Sequence, residues 1–196
     1  MLNRRNLAIF DFFSMKEFLD SQTEKLRKEA FESPETKFLL LNLLQNGCKF
    51  EKGNLDLQKL PLNVVSKLAI NSQNVKISIN NLIHLKQNDI NTALRHELLV
   101  LYDYCRAQTD FKDPKHRACS ILRATNLSGE CSFKNEKRRN YEVGSDKRNG
   151  CIKRRAVKTL MLQNFGSEES KKLVEEVWVP CFYDTTPYPQ RPVNSK

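Results

Sequence analysis

Six cysteines, Cys48, Cys105, Cys119, Cys131, Cys151 and Cys181, constrain this chain more than any other feature. Their number is even and their spacing is wide. No Cys-x-x-Cys pair occurs, which speaks against a zinc ribbon or a thioredoxin-type site. Two states stay open on composition: buried reduced thiols in a reducing compartment, or two or three structural disulfides in an oxidising one. Six cysteines allow about 15 complete pairings, so spacing gives no connectivity. The first residues do not read as a secretory leader. Arg4 and Arg5 precede an apolar run from Leu7 to Phe10, Asp11 interrupts it at once, and no small-residue cleavage site follows. A chain opening on Met1 is expected to carry no removed leader.

The 196 residues suit one domain with extensions, and 39% hydrophobic residues suffice for a core. The longest apolar stretch, Phe38 to Leu44, is broken by Asn42 and falls far short of the ~20 residues of a membrane span. Lysine and arginine exceed aspartate and glutamate by 10. That excess favours an acidic partner, an anionic lipid surface or nucleic acid. Ten basic residues lie between Lys134 and Lys158, among them Arg138, Arg139, Arg154 and Arg155, against Glu136, Glu142 and Asp146. They form either a solvated face or a docking surface for acidic protein or anionic headgroups. Phe133 and Tyr141 are the only nearby aromatics, too few for a nucleic-acid stacking platform.

Local signals outline a mostly helical chain. Ser14 and Glu17 have capping-box spacing for a helix to about Ala30. Ser33-Pro34 starts a second helix, which ends at Asn46-Gly47. Residues 49–74 show no clear period. Val75 to Ile79 alternates apolar and polar, predicting a short strand. Helices are expected from about Ile90 to Ala107, from Asp113-Pro114 to Ser128-Gly129, and from about Cys151 to Leu162. Ser167 is expected to cap a last helix that stops at Pro180. Pro187, Pro189 and Pro192 then predict an extended arm, with Tyr183 and Tyr188 as amphipathic anchors for a partner.

The helix Leu94-Arg-His96-Glu97-Leu-Leu-Val100-Leu-Tyr-Asp-Tyr-Cys105-Arg106 carries half of the His-Glu-x-x-His pattern. That pattern sets two zinc-binding imidazoles on one helix face with a proton-handling glutamate beside the first. Downstream come HRACSILRATNLSGEC from His116 to Cys131, CIKRRAV from Cys151 and CFYDTTPY from Cys181. In that order, these blocks resemble the mitochondrial inner-membrane metallopeptidase family that matures an ATP synthase subunit and assists assembly of its membrane sector. The family pattern is similar to His-Glu-Leu-Ile-His-Ala-Tyr-Asp-x-Cys-Arg followed by Ala-Cys-Ser-Glu-Ile-Arg-Ala-Ala-Asn-Leu-Ser-Gly-Glu-Cys. The block Arg123–Cys131 is its most specific part.

The resemblance implies an α+β, zincin-like fold, mostly helical with a small sheet and stapled by disulfides. It divides the chain into an N-terminal helical extension over 1–47, a peptidase-type domain over 48–183 and a proline-rich arm over 184–196. It also implies at least two disulfides among the cysteines from Cys105 to Cys181, with Cys48 joining them or staying free. Two positions depart from the pattern: Val100 stands where it has its second histidine, and Ile121 where it has a glutamate. Neither coordinates a metal. His84 and His116 are the other histidines that could supply a ligand.

These departures lead to the expectation of a non-catalytic pseudo-peptidase with vestigial His96 and Glu97, no zinc, and a filled, dry pocket. Glu97 is then expected to pair with Arg95, Arg106 or Arg123, or to titrate upward. Such a protein would be an accessory or assembly subunit of a respiratory complex or the ATP synthase. Its expected place is the mitochondrial intermembrane space, peripheral to the inner membrane, where disulfides survive without a secretory leader. An active zinc metallopeptidase acting on an ATP synthase subunit is the alternative. A basic subunit of a mitochondrial ribonucleoprotein is a third.

Overall fold

The computed structural model describes residues 21–71, 74–80, 86–107, 109–141 and 145–190. The start of the helix expected from Ser14, the end of the arm beyond 190 and all of His84 lie outside those residues. Helix α1 covers residues 21–32. Helix α2, Pro34–Gln45, begins where Ser33 Oγ accepts the Thr36 N–H at 3.3 Å with Pro34 in the first turn. It ends at Gly47, whose φ of 79° is a conformation that favours glycine.

The segment without a sequence period, residues 49–74, holds a 3₁₀ turn (Lys52–Asn54) and two strands, β1 (Leu55–Gln58) and β2 (Ser66–Ile70). Strands of four and five residues are too short to announce a period. With β3 (Val75–Asn80) they form a three-stranded sheet in the order β1-β3-β2. β1 runs parallel to β3, pairing Leu55 with Ile77, and β2 runs antiparallel, pairing Leu68 with Ile77. β2 is therefore an edge strand.

Five helices follow α3 (Gln87–Ala107): α4 (Pro114–Leu127), α5 (Phe133–Arg138), α6 (Ser145–Leu162), α7 (Ser167–Glu176) and α8 (Trp178–Tyr183). Two boundaries differ from expectation. α6 starts at Ser145, six residues before Cys151, because its polar first turns carry no apolar marker. Pro180 does not stop a helix. Gly166, not Ser167, caps α7, and the chain re-enters a helix at Trp178 with Pro180 in its first turn, where a missing N–H costs nothing.

The core has two parts. Leu39 and Leu43 of α2, Leu55, Ile77 and Ile79 of the sheet, and Leu94, Leu98 and Leu101 of α3 make one. Ile121 and Leu122 of α4, Ile152 and Leu160 of α6, Val174 of α7 and Phe182 of α8 make the other. α4 serves both, since its Ala124 and Leu127 face the first. The disulfides follow this division. Cys48–Cys105 ties the end of α2 to α3, Cys119–Cys181 ties α4 to α8, and Cys131–Cys151 ties the turn just before α5 to α6.

The arm expected to extend toward a partner is turned inward over its described part. Arg123, only 1% exposed, donates to Asp103 and to the Thr186 carbonyl, and its Nε lies 3.1 Å from Asp184. Arg106 bonds Asp184 at 2.6 Å and Thr186 Oγ1 at 2.7 Å. Tyr188 stacks on Phe38 with ring centroids 5.1 Å apart. Burial pushes its hydroxyl up to about 12. Tyr183, by contrast, is 71% exposed.

Candidate active site

Positions 93, 96, 97 and 100 of α3 lie three or four residues apart, on one face of the helix. Ala93, His96, Glu97 and Val100 accordingly form the floor of a cleft of about 640 Å³. One wall is the β2 edge with the loop before it, including Val65 and Ser66. The other is built from Arg117 and Ile121 of α4 and Arg155, Lys158 and Leu162 of α6. The filled, dry pocket expected from Val100 and Ile121 is therefore not what forms. Both side chains line an open cleft, because β2 and α6 stand on either side of α3 without meeting over it.

His96 and Glu97 are 9% and 8% exposed. His96 Nδ1 lies 2.9 Å from Glu130 Oε1. Arg155 Nε donates to Glu130 Oε2 at 2.8 Å. The Cys131–Cys151 bridge explains this meeting: it fixes the residue after Glu130 against α6, one turn before Arg155. Burial pushes the Glu130 carboxyl up, but the adjacent His96 and Arg155 charges outweigh that and hold it at about 2. Burial pulls His96 down, and the Glu130 charge and hydrogen bond more than reverse this, leaving it raised.

Ser66 Oγ donates to Glu97 Oε1 at 2.6 Å, and burial leaves the Glu97 carboxyl raised despite that bond and the His96 charge. The cationic partners suggested for Glu97 are engaged elsewhere. Arg95 reaches Asn91 and Thr92 on its own helix, and Arg106 and Arg123 serve the Asp103–Asp184 network.

Zinc peptidase chemistry needs three protein ligands and an open position. Among the described residues no group of three histidine, cysteine, aspartate or glutamate side chains is arranged to hold a metal. His96 offers one imidazole with Nδ1 turned to a carboxylate, the usual companion of a metal-bound histidine. Val100 adds no donor, and His116 sits on the surface 4.0 Å from Asp113. The described residues do not by themselves fit a catalytic zinc.

The arginines offered as a docking surface are turned to internal carboxylates. Arg138 pairs with Asp89, Arg139 and Arg154 with Glu136, and Arg155 with Glu130. Two site residues were not singled out from sequence. Glu130 stood inside the most specific block and could have been found there. Ser66 lies in a stretch with no pattern, and nothing local marks it.

The class follows from the whole chain. Residues 21–189 match the model of the peptidase M76 family, and the chain belongs to that family. It is 34% identical over 168 residues to the mitochondrial inner membrane protease ATP23 homolog of Danio rerio, which covers 84% of this chain and 65% of that one. It is 34% identical over 173 residues to the Homo sapiens homolog, covering 87% and 70%. With the Scheffersomyces stipitis protease ATP23 it shares 42% over 98 residues, 48% and 41% of the two chains. The chain thus spans about two thirds of the length of the first two relatives. No solved structure matches it significantly. These matches overturn the expectation of a non-catalytic pseudo-peptidase, and with it that of a respiratory-chain accessory subunit. The family is a peptidase family, and its named relatives are proteases.

Proposed function

We propose that this chain processes polypeptides at the mitochondrial inner membrane, on a zincin-like scaffold, with a subunit of the ATP synthase as substrate. The observation that carries the reading is Glu97. It is a buried carboxyl of raised proton affinity, on the floor of a cleft, and fixed by a hydrogen bond from an edge strand. An extended segment can add to the free edge of β2, which places its backbone over Glu97. There the carboxylate takes a proton from the attacking water and, once protonated, delivers it to the departing amine. His96, whose proton affinity is raised by the Glu130 charge and hydrogen bond, directs its imidazole to where the carbonyl oxygen becomes negative.

The relatives' names support the membrane and the protease role. Among the described residues no helix is long and apolar enough to cross a membrane. Three disulfides support the oxidising intermembrane space. The test is cleavage of an ATP synthase subunit precursor by the purified chain, with zinc supplied and with zinc chelated. Glu97→Gln should lower turnover by about 10²-fold or more while precursor binding persists. Equal turnover by the variant overturns the assignment.

A further inference from the structure

The wall of the cleft facing β2 carries more positive charge than its own carboxylates balance. Arg155 is matched by Glu130. Arg117 and Lys158 are not, since among the described residues neither forms an ion pair. Arg117 lines the cleft from α4, its guanidinium 5.8 Å from the centroid of the Phe165 ring. Lys158 stands on α6 one turn beyond Arg155, exposed and on the same face. Apolar surface from Leu162 lies on the same wall with the nearly buried Ile121 beside it, and Val100 faces them from the floor.

We propose that this wall selects an acidic polypeptide segment. An aliphatic side chain of the segment packs against Val100, Ile121 and Leu162, and carboxylates flanking it pair with Arg117 and Lys158. The inference rests on the polypeptide reading of the cleft and names the composition that the cleft prefers. Charge complementarity is its basis. A neutral segment that covered the wall would strip water from two cations and give nothing back, and a basic one would add repulsion. The neighbouring cations of α5 and α6 are different in kind. Arg138, Arg139, Arg154 and Lys153 already have carboxylate partners, so a ligand gains little from them.

The experiment uses labelled peptides of equal length in which aliphatic residues alternate with glutamate, glutamine or lysine. Binding to the whole oxidised protein is followed by anisotropy at low and at physiological salt. The glutamate peptide should bind about tenfold tighter than the glutamine one, with the lysine one weakest, and the gap should shrink as salt rises. Arg117→Glu combined with Lys158→Glu should reverse that order. Lys134→Glu combined with Lys137→Glu, the same charge change outside the cleft, should leave it intact. Should the double reversal not fold, Lys158→Gln alone, with the salt series on the natural chain, still reads the preference.

Equal binding of the glutamate and glutamine peptides overturns the inference. So does a preference that survives the reversal, or selective capture of phospholipid vesicles containing an anionic lipid through the same two residues. Failure of every peptide to bind overturns the polypeptide reading itself.

Discussion

Glu130 has an unfolded-state value near 4.5 and a folded value of about 2. A depressed carboxyl adds stability at pH above 4.5 and loses it as pH falls toward the folded value. His96 acts on the other limb: its raised value adds stability at low pH that is lost as pH climbs through that value. Denaturant melts between pH 2 and 7 should therefore show acid destabilisation on the order of 3 kcal/mol from Glu130. In Glu130→Gln that part of the slope disappears. The variant is also weaker at neutral pH, because buried His96 and half-buried Arg155 are left without their counter-charge. An unchanged slope would show that the carboxylate is not held by these cations.

Among the elements, the segment following α8 behaves as part of the core. Asp184 supplies one of the two carboxylates around Arg123, and Tyr188 covers Phe38. Asp184→Ala should cost about 2 kcal/mol in equilibrium unfolding, less than a fully enclosed pair because Asp184 is partly exposed. Its prolines do not give it the extended course that the sequence indicated: residues 186–190 turn and bend, with the Tyr188 N–H donating to the Thr185 carbonyl at 2.9 Å, against the chain's own helices. Composition reads stiffness and cannot read what lies opposite. The same limit explains the rest. His96 and Glu97 were legible because α3 is long and its period unmistakable. β1 and β2 were hidden because a strand of four or five residues gains its identity from its neighbour in the sheet. Pro180 misled because a proline reads alike at the end of one helix and in the first turn of the next.

At the scale of the molecule, the three disulfides close loops spanning 57, 62 and 20 residues. In the chain-entropy account each removes about 3 to 4 kcal/mol of unfolded-state freedom. Full reduction is therefore expected to lower the thermal midpoint by well over ~10 °C, read by calorimetry with and without reductant. A midpoint that does not move would mean that packing alone holds each of the two apolar clusters. Removing Cys131–Cys151 alone, as a double serine variant, should in addition loosen the Glu130–Arg155 contact.

One buried amide bears on how a ligand arrives. The Asn80 side chain, at the end of β3, shares its NH₂ among the carbonyls of Leu60, Pro61 and Val64, and its oxygen accepts from the Leu60 N–H at 3.3 Å. The loop carrying Val65 toward the cleft is thereby anchored at several points by a side chain that is itself fully buried. A rim fastened in this way is already in place when a ligand arrives. Its encounter should follow a single bimolecular phase whose rate scales with concentration, with no slow opening step ahead of it.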